Sequence, residues 1–109
     1  MRRRYLALKI DSDETFSSKD FMDAVWSAIS KLYGEYGASQ TGLALIDYDV
    51  EKGFAVLRTS HTAVKMVRIA LASITKIGIK PATIHVLTVS GTIKALHKKL
   101  ENSVYRKLI

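Results

Sequence analysis

Residues 41–59, TGLALIDYDVEKGFAVLRT, contain two runs with the composition of β-strands and a short corner between them. The first run is Thr41–Asp49, and the second is Gly53–Thr59. Both are rich in apolar and β-branched residues, whereas residues 50–52 and Gly53 supply the polar groups and the glycine that are typical of a turn. The stretch therefore predicts a β-hairpin.

An amphipathic helix is predicted on each side of this hairpin. Residues 17–20, SSKD, match the capping-box pattern, and apolar residues then recur at three- and four-residue steps until Gly37. After the hairpin, Ser60 can cap a second helix, which Gly78 and Pro81 would end. The helical spacing in both segments predicts one apolar face per helix.

Two further strands, one near each end of the sequence, complete the pattern. Arg3–Ile10 alternates with period two, so that Leu6 and Leu8 lie on one side of the strand and Tyr5 lies on the other. Ala82–Val89 has the composition of a fourth strand, and a third helix follows it.

The predicted order of elements is therefore βαββαβα. Two right-handed βαβ-type crossovers with a hairpin between them give an α+β fold with a four-stranded antiparallel sheet, covered on one face by two helices. This is the ferredoxin-like split βαβ arrangement, shared with RNA-recognition domains, plus a C-terminal helix. Residues 1–109 are predicted to form a single domain, because the chain is too short for two cores of ordinary size.

The second face of this sheet needs cover. Tyr5, Ala7, Phe54 and Val56 would lie there, and together they form more apolar surface than a solvated face normally carries. Either the third helix or a partner could cover them. We expect the helix to cover only part, so Tyr5, Phe54 and Val56 are predicted to contribute to a protein interface.

The same face could in principle stack bases. Residues 52–55, KGFA, fit the first four positions of the strand signature of RNA-recognition motifs, but Val56 and Thr59 stand where later aromatic residues belong. Core packing of Phe54 is therefore favoured over base stacking.

Helix one offers another aromatic surface. Trp26 and Tyr33 are seven residues apart and so lie on nearly the same side of the helix. They are predicted to form part of a protein interface, with the equal alternative that Trp26 widens the core-facing stripe.

The charge balance favours a polyanionic partner. There are 17 Lys and Arg residues against 10 Asp and Glu, a net charge of +7 and a sequence pI of about 9.8. The cations concentrate in the first ten residues and in the second half of the chain, which favours one positive and one acidic face. Nucleic acid is the preferred partner, with a membrane surface as the alternative.

The composition also excludes several classes of protein. There is no cysteine, which removes disulfides, thiol catalysis and cysteine-ligated zinc. No apolar run approaches the roughly 18 residues of a membrane-spanning helix. We therefore expect an intracellular, cytoplasmic protein, and of the two candidate partners we expect nucleic acid and not a membrane.

The stretch Val86–Leu100, VLTVSGTIKALHKKL, is a candidate phosphate site. A strand passes through a corner into a basic helix, whose first N–H groups have no intrahelical partners and favour an anion. The alternative is that Ser90 caps the helix while the lysines form a solvated face. The residues concerned are Ser90, Gly91, Thr92, Lys94, Lys98 and Lys99.

Several segments together resemble the archaeal ribonuclease P protein component 2 family, the counterpart of the eukaryal processing-of-precursor subunit. They follow one another in order over nearly the whole chain. The segments are residues 2–6 (RRRYL), 24–26 (AVW), Gly34 with Gly37, 56–58 (VLR), 67–71 (VRIAL) and 89–94 (VSGTIK).

The resemblance implies a ferredoxin-like subunit that binds the catalytic RNA of ribonuclease P. It also implies pairing with the TIM-barrel-like protein component 3, a possible homodimer within a heterotetramer, and removal of 5′ leaders from precursor tRNA by the assembly. The chemistry would belong to the RNA and its bound magnesium, with no cofactor on the protein. The expected phosphate contacts are Arg2, Arg3, Arg4, Arg58, Arg68, Ser90, Gly91, Thr92, Lys94, Lys98 and Lys99.

The residues themselves favour a non-catalytic role. His61, His85 and His97 have no metal-ligand spacing, and no nucleophile–base pair or nucleotide loop is recognisable. Asp47 and Asp49 share one side of a strand, but a solubilising edge explains them more simply than a metal site does. The alternative to RNA binding is a protein–protein module, which should be far less sensitive to salt.

Overall fold

The computed structural model describes residues 2–109, and its elements follow the predicted order. The strands of the main sheet and the helices agree with the sequence patterns, and one small ribbon is added to them. The elements are β1 (Arg3–Asp11), α1 (Ser18–Ser39), β2 (Ala44–Asp49), β3 (Phe54–Ser60), α2 (Val64–Ser73), β4 (Lys76–Ile77), β5 (Lys80–Pro81), β6 (Thr83–Ser90) and α3 (Ile93–Glu101).

The main sheet has the strand order β2-β3-β1-β6, and all of its pairs are antiparallel. The first strand of the chain lies in the centre, where Leu6 is opposite Leu57 of β3 on one side and Val89 of β6 on the other. This order and the two crossover helices confirm the predicted split βαβ fold.

The main core lies between one face of this sheet and helices α1 and α2. Leu6, Leu8 and Leu57 face the helices and are fully buried with Phe21 and Val25 of α1. The side chain of Ser17 caps α1 by accepting a hydrogen bond from the backbone N–H of Asp20, at 3.1 Å.

Helix α3 covers the opposite face of the sheet. Leu96 and Leu100 are four residues apart, so both point to the sheet, where they pack with Ala7, Phe54 and Val56. All five side chains are at most 2% exposed. The prediction that Phe54 and Val56 belong to a protein interface is therefore wrong, because α3 covers both. Packing of Phe54 in the core, the alternative to base stacking, is confirmed.

The structure differs from the sequence predictions around α2. Ser60 is the last residue of β3 and makes no capping bond, and a 3₁₀ turn over His61–Ala63 precedes α2. Helix α2 ends at Ser73, and the residues that were expected to end it form the β4–β5 ribbon instead.

Helix α1 is longer than predicted and contains a kink. It continues to Ser39, but Gly34 has a φ of +74° and ψ of 173°, which no α-helix contains. Only glycine adopts this conformation without strain, so Gly34 permits the break. Over residues 2–109, no helix is both long enough and apolar enough to cross a bilayer.

Candidate nucleic-acid interface

Three segments meet at one end of the main sheet. Arg3 lies opposite Ser60, and Tyr5 lies opposite Arg58 on one side and Ser90 on the other. The beginning of β1 is therefore beside the ends of β3 and β6, and α3 begins three residues after β6 ends. We call residues 2–5, 58–61 and 89–99 the basic end. Its cations are Arg2, Arg3, Arg4, Arg58, Lys94, Lys98 and Lys99.

The corner between β6 and α3 is held by Thr92. Its hydroxyl accepts a hydrogen bond from the backbone N–H of Ala95, at 3.1 Å, so that Thr92 caps α3. The alternative that Ser90 is the cap is therefore wrong, since Ser90 still pairs with Tyr5 in the sheet and is only 6% exposed. Ser90 consequently offers little surface to RNA.

An arginine side chain lies beside Gly91 at this corner. A Cβ at Gly91 would lie 3.6 Å from a terminal nitrogen of Arg4, within ordinary van der Waals contact. Arg4 also donates a hydrogen bond to the carbonyl of Arg3, at 3.0 Å. The Arg4 guanidinium is therefore placed beside the residues that lead into α3.

The lysines of α3 differ in their surroundings. Lys94 and Lys98 are exposed and one turn apart. Lys99 is also exposed, but its Nζ donates a hydrogen bond to the carbonyl of Val89, at 2.8 Å. Lys99 therefore ties α3 to the end of β6, a structural role that the charge pattern did not indicate.

Two predicted arginine contacts have different positions. Arg58 belongs to the sheet face that α3 covers, and its Nε is buried without a hydrogen-bond partner. Arg68 is exposed on α2, which packs against the other sheet face. The structure thus brings together the other predicted RNA contacts at the basic end, whereas Arg68 belongs to the opposite layer.

No acidic side chain neutralises this end. The sequence contains no Asp or Glu between Glu51 and Glu101, and none in residues 2–10. The ion pairs found over residues 2–109 are Lys19–Asp23, Lys80–Glu14 and His85–Asp11, none of which includes a cation of the basic end. The guanidinium and ammonium groups there are free to attract an anion.

The carboxylates collect at the other end of the sheet. Asp11 ends β1 and Asp49 ends β2, where the turn to β3 and the loop before α1 also lie. Asp47 and Asp49 accept hydrogen bonds from the backbone N–H groups of Tyr48 (2.9 Å) and Lys52 (3.0 Å). Over residues 2–109, no three His, Asp or Glu side chains are grouped to hold a metal ion.

Burial raises the pKa of Tyr48, and the nearby charge of Asp20 adds to this effect. The hydroxyl of Tyr48 donates a hydrogen bond to the carbonyl of Phe16, at 2.7 Å, and its ring packs on Phe21 with 5.3 Å between centroids. Tyr48 therefore has a structural role, because it packs on the main core near the end of the sheet where Asp11 and Asp49 lie.

The aromatic side chains that were predicted to form a protein interface on α1 are only partly accessible to a partner. Trp26 and Tyr33 are partly buried against the main core. The exposed apolar side chains of α1 and of the β4–β5 turn are Leu32 (48%), Tyr36 (79%) and Ile79 (92%). Leu32 and Ile79 line a groove of about 780 Å³ between α1 and the β4–β5 ribbon. Sequence reasoning missed Ile79, although an isoleucine beside a turn glycine is an unusual choice for a solvated tip.

Comparison with known proteins gives a consistent match. The model of the Rpp14/Pop5 family matches residues 4–101. The chain is 39% identical to ribonuclease P protein component 2 of Methanosarcina mazei over 98 residues, covering 90% of this chain and 83% of that protein. The protein of the same name from Pyrococcus furiosus is 33% identical, covering 90% and 82%.

A solved structure shares the fold. One chain of a cryo-EM structure of yeast ribonuclease MRP superposes with a TM-score of 0.71 at 14% identity, and the match covers 99% of this chain and 96% of that one. At this identity the likeness concerns the fold alone.

Proposed function

Because the chain belongs to the Rpp14/Pop5 family, we propose that it is a protein subunit of ribonuclease P that binds the catalytic RNA and supports 5′-leader removal from precursor tRNA. The membership agrees with the resemblance that the sequence motifs indicate. In this proposal the basic end contacts RNA phosphates, and the RNA with its bound magnesium performs the cleavage.

The observation that carries the proposal is the acid-free basic end. Cations from three separated segments meet there, and over residues 2–109 none of them has a carboxylate partner. Phosphates of RNA attract such a surface over a distance that depends on salt, and each contact releases counterions. A surface of this kind suits a polyanion better than an apolar protein.

A second surface is proposed for the protein partner. The resemblance implies protein component 3, and the exposed side chains of Leu32, Tyr36 and Ile79 offer it apolar contacts. These residues lie on the helical side of the sheet, away from α3. RNA and protein could therefore bind together, within a heterotetramer that contains two copies of this chain.

Reconstitution tests the proposed function. The purified chain should not cleave precursor tRNA at any magnesium concentration, whereas its addition with component 3 should raise the activity of the catalytic RNA. Cleavage by RNA-free protein would contradict the proposal, and so would unchanged activity of the catalytic RNA when both proteins are present.

A protein–protein module without RNA contacts is the alternative, and the exposed apolar side chains of α1 and Ile79 favour it. The two functions differ in their response to salt. Several phosphate contacts predict a steep loss of RNA affinity as salt rises, with a log–log slope of about −0.9 per duplex phosphate. Apolar docking predicts a shallow one.

A further inference from the structure

Arg58 is unusual among the cations of the basic end, because it lies within the sheet and is partly covered. It lies near the end of the inner strand β3, between Tyr5 of β1 and Ala44 of the edge strand β2. It follows Phe54 and Val56 at steps of two residues along β3, so its side chain starts on the same sheet face, which α3 covers.

The guanidinium of Arg58 has no partner within residues 2–109. Its Nε is buried and makes no hydrogen bond, and none of its nitrogens forms an ion pair within residues 2–109. A buried donor without an acceptor has lost its water without compensation, and such groups are uncommon in native proteins. The structure therefore holds Arg58 in a state that an external acceptor would improve.

One carboxylate of a neighbouring strand starts on the same sheet face as Arg58, because Asp47 of β2 is in register with Val56, but it forms no ion pair within residues 2–109. The other strands beside Arg58 and most of α3 supply no carboxylate. Strand β3, α2, β6 and α3 up to Leu100 contain no Asp or Glu, and the first strand contains none before Asp11. On β1, Tyr5 is directly opposite Arg58, and Arg3 is two residues away along the same strand. On the side of the edge strand, Ala44 has only a methyl group, which leaves Arg58 uncovered by a long side chain there.

We propose that Arg58 is the principal phosphate receptor of the basic end. Its guanidinium turns outward and donates two hydrogen bonds, from Nε–H and from a terminal N–H, to two oxygens of one RNA phosphate. This inference rests on the proposed RNA-binding function and assigns the strongest contact within it. A planar guanidinium can bind two phosphate oxygens in parallel, which an ammonium cannot do. The exposed Lys94 and Lys98 would attract the RNA, whereas Arg58 would fix one phosphate against the sheet.

Two substitutions at this position distinguish bidentate hydrogen bonding by the guanidinium from the effect of its positive charge alone. Arg58→Lys keeps the charge, so the slope of affinity against salt should stay near that of the wild type, while affinity for the catalytic RNA falls about tenfold. Arg58→Met removes the charge as well, so the slope should also become shallower by about 0.9. Lys31→Met, at an exposed lysine of α1 away from the basic end, is the matched control for the loss of one charge and should leave both affinity and slope unchanged.

Stability provides an independent readout. Arg58→Met removes an unpartnered buried donor and keeps a side chain of similar length, so its midpoint of thermal unfolding should equal or exceed that of the wild type. A variant that loses RNA binding and unfolds at a lower temperature would indicate a structural role and would overturn the proposal.

A nitrogen-detected NMR spectrum of the arginine side chains tests the proposed hydrogen bond from Nε directly. The Nε–Hε signal of Arg58, assigned by its loss in Arg58→Met, should shift when the catalytic RNA is added to the full-length protein. An unchanged signal at saturating RNA would overturn the proposal.

The possible results distinguish failure of the proposed role of Arg58 from failure of the proposed RNA-binding function. If the wild type shows no salt-dependent RNA binding, the proposed function fails. If Lys94→Ala with Lys98→Ala weakens RNA binding but Arg58→Met and Arg58→Lys do not, the function stands and this inference fails. Loss of component 3 binding by Arg58→Met, with RNA affinity retained, would assign the guanidinium to a protein carboxylate and would also overturn it.

Discussion

At the scale of single residues, Gly53 shows how closely the hairpin and the central strand depend on each other. Its φ is +61°, its carbonyl accepts a hydrogen bond from the N–H of Ile10 at 2.7 Å, and a Cβ there would lie 2.9 Å from the Ile10 carbonyl oxygen. Lys9 also donates a hydrogen bond to the carbonyl of Lys52, at 2.9 Å. The turn is therefore bound to β1 as well as to its own strands.

Gly53→Ala should lower the free energy of unfolding by about 2–4 kcal/mol, since it adds both left-handed backbone strain and a close contact with backbone. Gly78→Ala is the control, because Gly78 has a φ of +64° with open space around the Cβ position. That change should cost only about 1 kcal/mol, from strain. Chemical denaturation measures both, and equal losses would contradict the role of the Ile10 contact.

At the scale of elements, the sequence predicted most of what the structure contains. Period-two alternation in β1 and the Ser17 cap of α1 depend on neighbouring residues, so the pattern alone was sufficient. The β4–β5 ribbon was missed because two-residue strands have no periodicity to detect. The cover over Phe54 and Val56 was underestimated, since the packing of α3 depends on contacts between residues distant in sequence.

The candidate site was predicted in composition but not in detail. The charge distribution predicted that the first strand and the second half of the chain would share a positive face. Sequence could not show that Lys99 bonds to Val89 or that Arg58 keeps a buried nitrogen without a partner, because both facts depend on how α3 lies on the sheet. The residues that sequence assigned to α3 and the corner remain predictions as RNA contacts.

Helix α3 provides a prediction about salt. Lys94→Ala with Lys98→Ala should weaken binding of the catalytic RNA and reduce the log–log salt slope by up to about 1.8, because two exposed phosphate contacts are lost. Thermal unfolding should not change, since both side chains are exposed and Thr92 still caps the helix. Lys31→Ala with Lys76→Ala, two exposed lysines away from the basic end, is the matched control. Equal slopes for the two pairs would contradict a specific role for α3.

Helix α1 provides a prediction that separates packing from docking. Trp26→Ala should lower the free energy of unfolding by about 2–4 kcal/mol, because the ring packs against the main core. Tyr36→Ala should change it by less than about 0.5 kcal/mol, as the ring is 79% exposed. We expect capture of component 3 to fall for Tyr36→Ala. Retained capture would remove Tyr36 from the proposed protein surface.

At the scale of the whole molecule, the separation of charges predicts one orientation on RNA. The chain has no cysteine, so a single introduced thiol can carry a hydroxyl-radical probe. Thr62→Cys places the probe next to the basic end, and Glu51→Cys places it at the acidic turn between β2 and β3. The catalytic RNA should be cleaved from the first position and not from the second. Comparable cleavage from both would contradict a single orientation.

The central position of β1 also has a consequence for biosynthesis. This strand leaves the ribosome before both of its partners, because β3 follows about 50 residues later and β6 about 80 residues later. Until then its two apolar faces have nothing to pair with, and the last cover arrives only with Leu96 and Leu100. Pairings between such distant residues form slowly, because the intervening chain must first be closed into a loop. Nascent chains of this protein therefore expose an unpaired apolar strand for most of their synthesis. Chaperones that act during translation should determine the yield of folded protein.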